Sequence, residues 1–294
     1  MLDEIKLPQS NTALSALQVL ANTRQVEIDL PILRVKAIVR PIDGAEELSL
    51  RTMKASGSAF INAFNDLILT HATFEGVKFN DLQDFQQHLT PPDKALLVYA
   101  LLDSTFSKLP EKVIKCPECG TVDTHSPDPA SIIHADTIPY VWKEEKDFDE
   151  YEIVSEIVPG FTVIYSMPTE ADRVLILKQK ENSQMRDSIE ENGDVLSSLE
   201  LFCVYIKRLE IKDGEETIVL DDKLVDIIPT VKQMPLDLQS KLLEDNSVMK
   251  LVDYTPNFYL DIECSNIHCA KRQFKWEGIN PEQDFFLKAL SVYN

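Results

Sequence analysis

Two close pairs of cysteines, Cys116 and Cys119 in CPECG and Cys264 and Cys269 in CSNIHC, constrain this chain more than any other feature. Four thiolates complete a tetrahedral shell for one zinc ion, and a shell with no open position is that of a structural metal. The first pair has the spacing of a knuckle, where two thiolates reach one metal from a tight turn. Pro117 fixes the backbone and Gly120 relaxes it at the reversal. Four residues separate Cys264 from Cys269, still within the range of zinc-binding pairs, and His268 is an alternative donor beside Cys269. Closing the long loop between the pairs costs only about 0.6 kcal/mol per doubling of length, whereas a structural zinc contributes roughly 10 to 16 kcal/mol in small peptides. A split site is therefore expected to tie a segment near residue 116 to the C-terminal region, leaving the intervening chain to fold as its own unit.

The neighbours Lys115, Glu118, Glu263, Ser265 and Asn266 are polar, which disfavours four unrelated core cysteines. A thiol oxidoreductase built on Cys116 and Cys119 is an alternative, but a redox CxxC should open a helix, and Pro127 and Pro129 interrupt one soon after Cys119. Cys203 shares a helical stripe with Leu196, Leu199 and Ile206, so a long helix with Cys203 in the core is expected there.

Length and composition set the class. At 294 residues with 44% hydrophobic content the chain is long enough for two domains with real cores. Forty-nine acidic against 29 basic residues give a formal charge of −20, which repels nucleic-acid phosphates and anionic membranes and favours protein partners. A zinc-ribbon nucleic-acid-binding protein is the runner-up, resting on the small basic patch of Lys271, Arg272 and Lys275. The absence of a basic-then-apolar leader or a long apolar run predicts a soluble, unprocessed protein without a membrane partner, and five cysteines in metal-like pairs suit a reducing cytoplasm.

The expected fold class is α+β: a mainly helical N-terminal part with a β-hairpin, an α+β middle part, and a split four-cysteine zinc ribbon. Residues 1–24 read as an N-terminal arm, 25–110 as the hairpin plus helical domain, 111–125 as the first half of the ribbon, 126–255 as the middle domain, and 256–294 as the second half with the C-terminal tail. Alternation from Val26 to Val39, broken at Pro31, predicts the hairpin, and helices follow over AEELSLRTMK, around Phe60 to Ile68, around Leu82 to Phe85, and over the apolar ALLVYALLDSTF. A second hairpin is expected at Ile153 to Tyr165, a helix from Thr169 to Lys180, a hairpin at Asp213-Gly214, a helix from Pro235 to about Lys250, and strands at 257–263 and 274–276. The charged stretch Lys143 to Tyr151 reads as a solvated loop, and Phe285 and Phe286 as core anchors or a docking handle.

Eight glycines form no phosphate-cradling loop, and the five histidines show no catalytic motif. His125, His134 and Asp136 are the candidates for a catalytic metal, but no helical or strand spacing converges them. No catalytic or cofactor-binding residues are assigned beyond the four-cysteine zinc shell.

In order along the chain, VRP at 39–41, EEL at 46–48, FNDLQDF, PPDKALLVYALLDSTF, CPECG, SMPTEADRV at 166–174, the second cysteine knuckle, FKW and DFFL resemble the T4-type phage baseplate hub assembly protein family. That resemblance implies a non-enzymatic part in building a contractile tail, with other baseplate or hub proteins as partners. It also implies a location in the host cytoplasm during assembly or in the virion tail. Of the family's features only the cysteine knuckles carry over as site residues, and CSNIHC departs from a second CxxC.

Overall fold

The computed structural model describes residues 24–52, 57–134, 136–137, 152–184 and 198–291. Nearly all of the expected arm, and the charged stretch from Lys143, lie outside them. The fold is α+β, with helices and small antiparallel sheets.

β1 (Val26–Leu30) and β2 (Val35–Val39) pair with Val26 opposite Val39 and Leu30 opposite Val35, so Ile28, Leu30, Ala37 and Val39 share the buried face. α1 (Gly44–Thr52) starts with a reciprocal cap. Asp43 accepts from the Ala45 and Glu46 amides at 2.8 and 2.9 Å, and Glu46 accepts from the Asp43 amide at 2.8 Å. α2 (Gly57–His71) runs into β3 (Ala72–Phe74), which adds to β2 as a third strand the alternation pattern does not predict. α3 (Leu82–His88) is capped by Asp81, and α4 (Pro91–Thr105) begins on prolines, whose missing amides cost nothing in a first turn. Leu96 to Leu102 of α4 are all buried, making it the axis of the first core. β4 (Lys112–Lys115) and β5 (Val122–His125) then form a hairpin.

The second core lies on a four-stranded antiparallel sheet in sequential order: β6 (Ile153–Val158), β7 (Phe161–Tyr165), β8 (Ile206–Asp213) and β9 (Glu216–Leu220). It includes side chains from α5 (Glu170–Gln184), α6 (Ser198–Val204), a π-helical turn at Lys223–Ile227, α7 (Ile228–Gln233), α8 (Leu236–Leu243) and α9 (Met249–Val252). The chain then returns to the first core through β10 (Leu260–Glu263), β11 (Gln273–Trp276) and α10 (Pro281–Ser291). Phe285 of α10 is fully buried against Phe64 and Phe106, at ring-centroid distances of 5.7 Å each, and Phe286 packs on Phe60 at 4.9 Å. Both are packing anchors.

Two expected helices are corrected. The helix bearing Cys203 ends at Val204, and the chain enters β8 at Ile206. Cys203 and Ile206 are both fully buried, so the helical spacing was satisfied by a helix-to-strand junction. The helix from Pro235 stops at Leu243. There Asp245 accepts from the Ser247 amide at 3.0 Å, a local side-chain bond that competes with helix continuation.

Buried charge joins the two cores. Glu170, at the start of α5, is fully buried and receives Lys94 of α4 at 2.9 Å and Arg173 at 2.6 Å, while its amide donates to the Leu89 carbonyl at 2.8 Å. Burial alone pushes the Glu170 carboxyl up, but the two cations outweigh it and hold it at about 2. Next door, Asp93 accepts from the Ile32 and Leu33 amides at 3.1 and 3.0 Å and from the Thr90 hydroxyl at 3.1 Å, which pins the β1–β2 turn to α4. Glu170→Gln leaves buried Lys94 with only the more distant Glu282 carboxylate, at 3.8 Å, and is expected to cost about 3 kcal/mol near neutral pH. Because the folded carboxyl titrates below its ordinary value of 4.5, the stability it supplies is complete above that pH and fades as pH falls toward about 2. Urea midpoints of wild type and E170Q should therefore converge across that window; a constant gap would contradict the ion-pair account.

Candidate metal centre

Each cysteine pair sits at the end of its own hairpin. β4 and β5 pair from Lys112 opposite His125 to Lys115 opposite Val122, and the knuckle closes with the Cys116 amide donating to the Thr121 carbonyl at 2.8 Å and the Gly120 amide to the Cys116 carbonyl at 3.0 Å. Gly120 turns at φ 75°, left-handed backbone that a side chain resists. β10 and β11 pair from Leu260 opposite Trp276 to Glu263 opposite Gln273. Their knuckle closes through the Cys264 amide to the Arg272 carbonyl at 2.8 Å and the Cys269 amide to the Asn266 carbonyl at 3.0 Å.

The two ends meet crosswise. Cys116 Sγ lies 3.8 Å from Cys269 Sγ, Cys119 Sγ lies 3.5 Å from Cys264 Sγ, and all four sulfurs fall within 4.8 Å of one another. A tetrahedron with metal–sulfur bonds of about 2.3 Å has sulfur–sulfur edges of about 3.8 Å, whereas a disulfide is about 2.05 Å long. The spacing therefore suits four ligands around one ion and no cross-link. Cys116, Cys264 and Cys269 are buried and Cys119 is exposed.

A polar strap holds the hairpins together beside the sulfurs: the Ser265 amide and hydroxyl donate to Asp123 of β5 at 3.2 and 2.6 Å, which lowers the Asp123 carboxyl. The Thr121 hydroxyl and amide draw the Cys119 thiol down to about 6, while burial pushes the Cys264 thiol up and the Cys269 thiol up to about 12. A bound dication offsets the cost of ionising the inner thiols, which is how soft-metal sites hold several thiolates together.

All four cysteines assigned from the sequence come together. His268 does not join them. It is exposed, and its amide donates to Asn266 Oδ1 at 3.0 Å. Among the described residues, His125, His134 and Asp136 do not form a ligand group. Instead, His134 stacks on Tyr259 at 4.0 Å with its Nε2 3.1 Å from the Tyr259 carbonyl, and Asp136 binds the Tyr259 hydroxyl and Lys275 Nζ, the latter at 2.7 Å. These contacts brace the second hairpin. In the basic patch, Arg272 pairs with Glu263 at 2.6 Å and Lys275 with Asp136, so two of its three cations are already matched. Sequence reasoning missed Asp123 and Ser265; the strap has no fixed spacing, because its partners belong to different hairpins.

The geometry defines an α+β protein with a four-thiol, metal-competent clasp between two β-hairpins. Comparison with protein-family models, curated proteins and solved structures gives no match to the chain.

Gly120→Ala tests the knuckle. A Cβ there would lie 3.6 Å from the Lys115 side chain, an ordinary contact, so the penalty comes from the backbone conformation alone. A loss of about 1 to 2 kcal/mol is expected in the metal-loaded protein, with a weakened metal affinity; unchanged affinity in a competition titration would mean the turn does not preorganise the thiols.

Proposed function

We propose that this chain is a non-enzymatic structural or assembly protein of a contractile-tail baseplate hub, locked in shape by one structural zinc ion on Cys116, Cys119, Cys264 and Cys269. The observation that carries the metal reading is the crosswise four-sulfur cluster, with edges of 3.5 and 3.8 Å between cysteines of two hairpins far apart in sequence. Zinc bound there supplies charge neutralisation and a cross-link, with its four positions filled by protein. The baseplate reading is supported by the ordered motif resemblance from VRP to DFFL, and the −20 charge suits basic surfaces on a hub partner. Assembly then takes place in the host cytoplasm, with the particle's baseplate as a destination.

The exposure of Cys119 and its lowered thiol favour one second reading, a thiol oxidoreductase. Elemental analysis separates the two. One zinc per chain with thiols inert to alkylation supports the clasp, and metal-free protein with a rapidly alkylated Cys119 supports redox chemistry.

Cys119→Ser is expected to abolish stoichiometric zinc, to lower the thermal midpoint by about 2 to 4 °C for each kcal/mol lost, and to raise hydrogen exchange in α10. Unchanged melting and metal content would contradict the clasp. For the assembly role, purified hub proteins mixed with the zinc-loaded chain should yield a complex on size-exclusion chromatography; no complex at any ratio argues against it.

A further inference from the structure

We infer that the free edge of β9 is a docking site for an extended, basic-flanked strand of a partner protein. β9 ends the four-stranded sheet, with β8 on one side and, among the described residues, no strand on the other. Its residues Glu216 to Val219 are exposed, with Ile218 at 46% and Val219 at 50%, although they project to opposite faces. The opposite edge differs, since β6 is packed by the turn at Asn246–Val248.

The β8–β9 register states which backbone groups are available. Asp213 pairs with Glu216 around the two-residue turn Gly214-Glu215, where Gly214 takes φ 65°. In such a hairpin the closing pair is hydrogen-bonded and the pairs alternate from there. The amides and carbonyls of Thr217 and Val219 consequently face away from β8. Exposed edges are commonly blunted by lysine, proline or a bulge, and β9 has none of these.

Charge selects the occupant. Asp213, Glu215 and Glu216 lie at one end of the strand and Asp221 at the other, and none of the four has an ion-pair partner among the described residues. A second copy is disfavoured. Of the antiparallel registers that match the outward groups of two β9 strands, two place Glu215 opposite Asp221 or Glu216 opposite Asp222, and the one centred on Thr217 brings Asp221 of each copy against the acidic Asp213–Glu216 turn of the other; like charges brought together in this way are destabilising. A partner strand with alternating β-branched residues and lysine or arginine at both ends satisfies the backbone and the carboxylates together. The edge is free whichever assembly the chain joins, so the inference does not rest on the baseplate reading.

The probe is a short synthetic peptide of alternating threonine and valine with two lysines at each end, titrated into the full chain; the control carries glutamates in place of the lysines. Saturable, salt-sensitive binding of the lysine peptide, with slowed hydrogen exchange at the Thr217 and Val219 amides, is expected. Val219→Pro removes an outward donor without touching the β8 ladder and should weaken binding about tenfold with the far-UV spectrum intact. Reversing both ends with Glu216→Lys and Asp221→Lys should transfer the preference to the glutamate peptide. Equal binding of the two peptides by the native chain, full binding by V219P, absence of protection at Thr217 and Val219, or protection of those amides by self-association in the absence of peptide would each overturn the inference.

Discussion

The structure depends on a closure between hairpins separated by nearly half of the chain. β4–β5 and β10–β11 are two-stranded sheets of four residues per strand, and an isolated two-stranded hairpin is marginal in water. Each gains a partner at its sulfur-bearing end and a core at its root. Ile114, Leu260 and Ile262 enter the first core, while Lys112 binds the buried Asp284 of α10. Thiol cluster, strap and core thus act on the same short elements. The proposed zinc ion would account for three cysteines buried together with so little hydrocarbon around them.

Between those hairpins the second core is inserted as a unit with its own sheet. Besides Ile32 and Ile61, which pack into the second core, it is joined to the first by polar contacts of high specificity: Glu170 with Lys94, and the Ser58 amide to Glu181 at 2.6 Å. A buried ion pair contributes little net stability against an apolar alternative, because desolvation offsets much of the attraction. It does penalise any other arrangement of α4 against α5, since misalignment leaves a charge stranded. The seam is accordingly better described as setting orientation than as adding strength.

Much of this architecture was legible in the residues. Period-two alternation located β1 and β2 because each buries one face, apolar runs on either side of Pro159-Gly160 located β6 and β7, and Leu96 to Leu102 announced a central helix by being apolar on every side. The four cysteines were legible as a group because close pairs with the spacing of metal ligands stand out in a sequence, and the structure brings all four together. What escaped lacked such a local signature. β3 is three residues long and is held by pairing to β2, while β5 carries Val122 and Thr124 on an exposed face with no hydrophobic alternation. The end of α6 was misjudged because Cys203 and Ile206 are buried for different reasons, one in a helix and one in a strand. Asp123 and Ser265 found each other only once the hairpins had met.

The return of α10 to the first core has a consequence for biosynthesis. Residues 152–254 emerge from a ribosome with their sheet complete, whereas the cavity between α2 and α4 that receives Phe285 stays open until α10 has left the exit tunnel. A nascent chain therefore carries a finished inserted unit on an unfinished base, with its early thiols waiting for their late partners.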